Sequence, residues 1–147
     1  MRYFEDFAPG QSFDLGSHEV TAEEIVEFAG RYDPQPFHLD PAAAAASPFG
    51  GLIASGWMTA AICMRLYVDV VLADAASQGS PGMSELRWLV PVRPGDVLAG
   101  HLGVGDVAGS SRRPDRGTVH LELSLANQRG EVVLTMRGRG LFGRRPA

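Results

Sequence analysis

The residues with the most chemical promise are Asp33 and His38, five positions apart in the segment Asp33-Pro34-Gln35-Pro36-Phe37-His38-Leu39-Asp40. In a helix that spacing turns two side chains to different faces. In a proline-stiffened extended loop the chain can bend both toward one cavity. A carboxylate beside an imidazole is a general acid–base pair, and an imidazole titrating near about pH 6.5 passes protons easily in either direction. Other candidates carry less. Asp40 is better placed to cap the alanine run 42–46 than to do chemistry. His18 and His120 fall on expected polar strand faces and read as solvated. Cys63 reads as an inert buried thiol, and Arg112-Arg113 as a solvated loop.

The elements that position this pair follow from periodicity. Residues 11–20 alternate loosely and fit a first strand. Thr21-x-x-Glu24 opens an apolar periodic segment as a capping box, which predicts a short helix over 21–30 ended by Gly30. Residues 31–51 read as irregular, because Pro34, Pro36, Pro41 and Pro48 each bias the preceding residue away from helix; the alanines allow one helical turn. A long helix is expected from about Ala54 to Ala76, with Trp57, Ala61, Met64, Val68 and Val71 as its core stripe and Arg65–Asp69 as an i,i+4 pair. Strands are expected over 83–93, 96–107 and 118–127, with a last one from Val132 after a hairpin turn at Asn127–Gly130. A long apolar helix and an antiparallel sheet must bury their faces on each other. The expected architecture is therefore α+β, with a sheet wrapped around a central helix, the arrangement called a hotdog fold.

Composition narrows the chemistry. At 147 residues the chain fits a single domain spanning 1–147, and 45% hydrophobic with 20% charged residues is a globular balance. A net charge of −4 argues against non-specific binding to nucleic acid or anionic membranes. All 13 basic residues are arginine, which removes a pyridoxal Schiff base, a lysine nucleophile and a Walker A loop. One cysteine excludes an internal disulfide framework and multi-cysteine metal sites, and fits a reducing compartment. The N-terminus lacks a basic region followed by an apolar stretch, so no signal peptide is expected and a cytoplasmic location is. Residues 41–64 carry no charge, but Pro48, Gly50 and Gly51 interrupt them and Arg65 and Asp69 follow, so a buried helix of a soluble protein is the expectation.

The stretch DPQPFHLDPAAAAAS resembles the hydratase motif of the MaoC-like dehydratases, hotdog enzymes that include the (R)-specific enoyl-CoA hydratases. Asp33, Pro36, His38 and Asp40 match that motif, Ser55-Gly56-Trp57 matches its downstream element, and RWLVPVRPGD (87–96) resembles the family's Pro-Val and Gly-Asp turn. The resemblance implies reversible hydration of an enoyl thioester, of coenzyme A or acyl carrier protein, with no metal or redox cofactor. His38 would take a proton from the attacking water, Asp33 would share in orienting the water and in the proton traffic, and the Gly56 N–H would receive the developing oxyanion. It also implies a homodimer or higher homo-oligomer.

Four positions depart from the family pattern: Gln35 stands for Asn, Ser55 for His, Trp57 for a smaller Met, and Met64 for a serine near the acyl group. The resemblance implies that these four, with Gly56, contact the substrate; Trp57 and Met64 share one helical face and are expected to shorten or reshape the acyl tunnel. Two other functions compete. A hotdog thioesterase usually carries a carboxylate at the start of the long helix, and no Asp or Glu lies between Ala54 and Met64. A non-catalytic acyl-thioester binding module, or a subunit of a larger assembly, is motivated by Gln35 and the altered helix start.

Overall fold

The computed structural model describes residues 1–147. The elements in chain order are β1 (Ser12–Glu19), α1 (Ala22–Tyr32), α2 (Pro36–Leu39), α3 (Pro41–Ala45), α4 (Gly56–Val70), β2 (Gly82–Trp88), β3 (Val97–Gly109), β4 (Arg116–Ala126) and β5 (Val132–Gly143). All strand pairings are antiparallel, in the spatial order β1-β3-β4-β5-β2. The α+β expectation holds, with α4 packed into the sheet.

The inward face of the sheet is the one read from alternation. Val119, Leu121, Leu123 and Leu125 of β4 are all buried, beside Leu98 and Leu102 of β3 and Val133 and Leu134 of β5. These residues form one cluster with Met58, Ile62, Cys63, Leu66 and Tyr67 of α4. Burying each such large apolar side chain is worth about 1.5–3 kcal/mol relative to leaving it in water. Gly100 of β3 lets α4 come close. A Cβ there would stand 3.0 Å from Leu15 Cβ and 3.1 Å from Leu66 Cδ1.

The helix departs from expectation in length and in orientation. Its α-helical part is Gly56–Val70, followed by a single 3₁₀ turn at Leu72–Asp74. Gly56–Asp74 is long and apolar enough to cross a membrane by length and composition, but its buried side chains belong to the core cluster. Of the stripe expected to be core, only Val71 is buried; Trp57 is 59% and Met64 43% exposed. The buried face lies one residue further round, at Met58, Thr59, Ile62, Cys63, Leu66 and Tyr67. A helix apolar over most of its circumference offers two overlapping periodic stripes, and periodicity does not choose between them. The Arg65–Asp69 pair forms as expected, at 2.9 Å.

Three other segments differ. α1 runs through Gly30 to Tyr32, and only half of its capping box forms. Thr21 Oγ1 accepts the Glu24 N–H at 3.2 Å, while the Glu24 carboxylate turns to His18 at 2.7 Å. His18 is thus paired, not merely solvated. The proline-rich stretch is not simply irregular. Pro36 and Pro41 each occupy a first helical position, where a missing N–H costs nothing, and Asp40 caps α3 by accepting the Ala42 N–H at 2.9 Å. Finally, β2 ends at Trp88 and not at 93. Pro91 has no N–H for a ladder, and Val92 instead accepts the Ala54 N–H at 2.8 Å, which draws residues 89–92 across the start of α4.

Candidate active site

Asp33 is the C-cap of α1, its N–H donating to Ala29 at 2.9 Å. His38 sits in α2, just beyond Pro34 and Pro36. The two are brought together by this helix–turn–helix corner and not by an extended loop. Asp33 Oδ2 and His38 Nε2 lie 3.2 Å apart, with the imidazole 5% and the carboxylate 19% exposed.

Every other polar atom of the pair is committed. His38 Nδ1 lies 2.7 Å from the Ile53 carbonyl oxygen. A carbonyl can only accept, so Nδ1 carries a hydrogen, and in the neutral ring Nε2 bears the lone pair. The Phe37 ring packs edge-on against the imidazole at 4.5 Å. Asp33 Oδ2 also accepts the Ser55 hydroxyl at 2.8 Å, and Oδ1 accepts the Gln35 amide at 2.7 Å. Burial pushes the Asp33 carboxyl up. The hydrogen bonds from Gln35 and Ser55, joined by the charge and hydrogen bond of His38 whenever its Nε2 is protonated, outweigh that push and hold it below the ordinary carboxylate range. Asp33 is therefore ionised at neutral pH.

Ser55 is fully buried and is the N-cap of α4, its oxygen accepting the Trp57 N–H at 3.3 Å. One hydroxyl thus joins the helix start to the carboxylate. Gly56 is the first helical residue, with an N–H that no intrahelical acceptor can reach and the positive end of the helix dipole behind it. Asp33, Gln35, His38, Gly56 and Trp57 line one cavity of about 360 Å³. Its remaining wall is mostly apolar, with Phe37, Phe49 and the segment Trp88–Val92. This arrangement can hold a water or hydroxyl against a base and an ionised carboxylate that touch each other, next to a backbone donor for an oxyanion.

Two expectations about the site change. Gln35 and Ser55, expected to bind substrate, both donate directly to Asp33, and the fully buried Ser55 does not line the cavity. Met64 does not line the cavity; it lies two helical turns beyond Trp57 on the exposed side of α4. Sequence reasoning missed Trp88, Leu89 and Val90 as cavity residues. Their signal was the Pro91-Val92 turn, which was read as the end of a strand and not as a wall of the site. Cys63 is buried, and burial pushes its thiol up to about 12. No group of three or more His, Cys, Asp or Glu side chains could hold a metal ion.

The antiparallel sheet packed on a central helix is a hotdog fold, and comparison with known proteins agrees with it. The profile of the MaoC like domain matches residues 6–126, and the chain belongs to that family. The crystal structure of the MaoC-like dehydratase from Rhodospirillum rubrum is 47% identical over 100% of both chains, with a TM-score of 0.92. The uncharacterized protein YdeM of Bacillus subtilis is 32% identical over 85% of this chain and 87% of its own. The 3-hydroxybutyryl-CoA dehydratase of Methylorubrum extorquens is 32% identical over 76% of this chain and 69% of its own. Hydro-lyase activity at the level of the family is thereby supported.

Proposed function

We propose that this protein reversibly hydrates an enoyl thioester, of coenzyme A in the first instance, to the 3-hydroxyacyl thioester, using Asp33 and His38 as the acid–base pair. The observation that carries the reading is the 3.2 Å contact between Asp33 Oδ2 and His38 Nε2 within an apolar-walled cavity at the N-terminus of α4. The Ile53 carbonyl holds the hydrogen on Nδ1, so Nε2 faces the cavity as a base. Water oxygen bonds to the β-carbon as its proton passes to Nε2, and the C=C electron pair moves toward the thioester. The Gly56 N–H stabilises the charge on the thioester oxygen. Asp33, kept ionised, orients the water and shares the return of that same proton to the α-carbon. The pair ends as it began, with one water added across the double bond. Such acid–base help is typically worth about 10²–10⁴ in rate, and one oxyanion donor about 10²–10³.

Gln35 and Trp57 support substrate binding from the cavity wall and Ser55 from behind it through Asp33, coenzyme A enters as part of the substrate, and the reaction needs no metal or redox cofactor. We place the protein in the cytoplasm and read it as a homodimer. β2 is a sheet edge with β5 as its one neighbour, and Met83, Trp88 and Leu89 stand 43–52% exposed along and just beyond it. Light scattering should give twice the chain mass; a monomer at micromolar concentration would contradict this.

Incubation with crotonyl-CoA tests the reaction. Loss of enoyl absorbance without release of free thiol is the expected result. Thiol release would mean a thioesterase. Tight binding of acyl-CoA with no turnover across a panel of short, branched and longer enoyl thioesters would mean a binding module.

A further inference from the structure

Gly56 is the weakest-held part of the proposed site by its own nature. A glycine restrains its own dihedrals least of all residues, and at a first helical position its N–H is bonded to nothing within the helix. A donor that must point at one oxygen atom has to be held from outside. Ser55 holds the peptide that follows Gly56 by its N–H end, accepting the Trp57 N–H while donating to Asp33. Trp88, the last residue of β2, holds the other end of the same peptide, donating its indole N–H to the Gly56 carbonyl at 2.6 Å. The indole lies so close that a Cβ on Gly56 would stand 2.6 Å from Cε2 and Nε1 and 2.9 Å from Cδ2. Gly56 does not adopt a positive φ. It is a glycine because the indole occupies the space of a side chain. Trp88 is itself anchored: it pairs with Leu134 in β5, the next residue's N–H bonds Val133 at 2.9 Å, and the Trp57 ring meets the indole edge-on at 5.1 Å.

We propose that Trp88 is a positioning residue: its indole holds the Gly56–Trp57 peptide through the Gly56 carbonyl and packs where a Gly56 side chain would stand, and so restricts the Gly56 dihedrals that relate this peptide to the preceding one, whose N–H points toward the thioester oxygen. The inference rests on the hydratase reading and on Gly56 as the oxyanion donor. It gives the helix start two grips, the carboxylate through Ser55 and the sheet edge through Trp88, so the donor and the acid–base pair keep a fixed relation.

Two variants separate the ring from its N–H. Trp88→Phe keeps an aromatic face and removes the donor; Trp88→Leu removes both. With crotonyl-CoA, kcat should fall about tenfold in Trp88→Phe and further in Trp88→Leu, with KM within about twofold, since misplacing a reacting group by an ångström can cost a hundredfold. A second readout needs no turnover. Calorimetry compares butyryl-CoA with S-butyl-CoA, the thioether that lacks the carbonyl oxygen. Wild type should prefer the thioester, and Trp88→Phe should lose most of that preference while unfolding at nearly the wild-type temperature. A Phe variant that retains both kcat and the preference overturns the proposal, as does a wild type that does not distinguish the two ligands. If wild type hydrates no enoyl thioester, the hydratase reading fails, and the binding preference still decides the role of Trp88.

Discussion

The molecule contains two carboxylate–imidazole pairs, and only one is set up for chemistry. His18 and Glu24 are the closer pair, at 2.7 Å, against 3.2 Å for His38 and Asp33. Distance is not what separates them. His18 and Glu24 are 37% and 31% exposed, on a strand and a neighbouring helix, so water competes for both groups. His38 is nearly sealed, with its Nδ1 hydrogen committed to Ile53, and Asp33 carries two further donors. The lesson is that an acid–base pair is made by what fixes its tautomer and charge and by the cavity it faces. A short contact alone makes an ordinary surface ion pair, worth about 0–1 kcal/mol.

The contrast can be broken at the carboxylates first. Asp33→Asn should lower turnover by at least about a hundredfold, while Glu24→Gln should change it by less than twofold; steady-state rates on crotonyl-CoA read both. Next comes Ser55→Ala, which removes a donor that lowers the Asp33 carboxyl. The acid limb of the pH–rate profile should move to higher pH, because Asp33 then takes up a proton sooner as pH falls. An unmoved acid limb would mean that Asp33 does not govern it.

A smaller effect concerns stability. A carboxyl lowered in the folded state stabilises the fold above its unfolded value, and that contribution is lost as pH falls through the lowered one. Asp33 should therefore contribute at neutral pH and cease to do so well below about pH 4. Urea unfolding of Asp33→Asn should show a gap from wild type that closes toward low pH; a gap that widens there would reverse the assigned sign.

Much of this is legible in the sequence. Alternation in β4 gives its buried face directly, since each strand residue has only two directions to choose from. The Asp33–His38 pairing was readable because two prolines exclude a continuous helix between them. The orientation of α4 was not, because apolar residues such as Trp57 and Met64 lie on both of its candidate faces. The short helix at Pro36 was hidden by the same proline that starts it, whereas the turn over the alanines and its Asp40 cap were legible. Gln35 reaches Asp33 from two residues away, but the roles of Ser55 and Trp88 depend on segments far apart in the chain: Ser55 is 22 residues from Asp33 and Trp88 is 32 from Gly56. Nothing local to either partner records such a contact.

One substitution made twice tests the central claim most directly. Hydration of crotonyl-CoA is measured in wild type, His38→Ala and His18→Ala, each checked for folding by its unfolding temperature. Hydration should fall at least about a hundredfold in His38→Ala and stay within about twofold of wild type in His18→Ala. A folded His38→Ala variant that keeps most of its activity would contradict it.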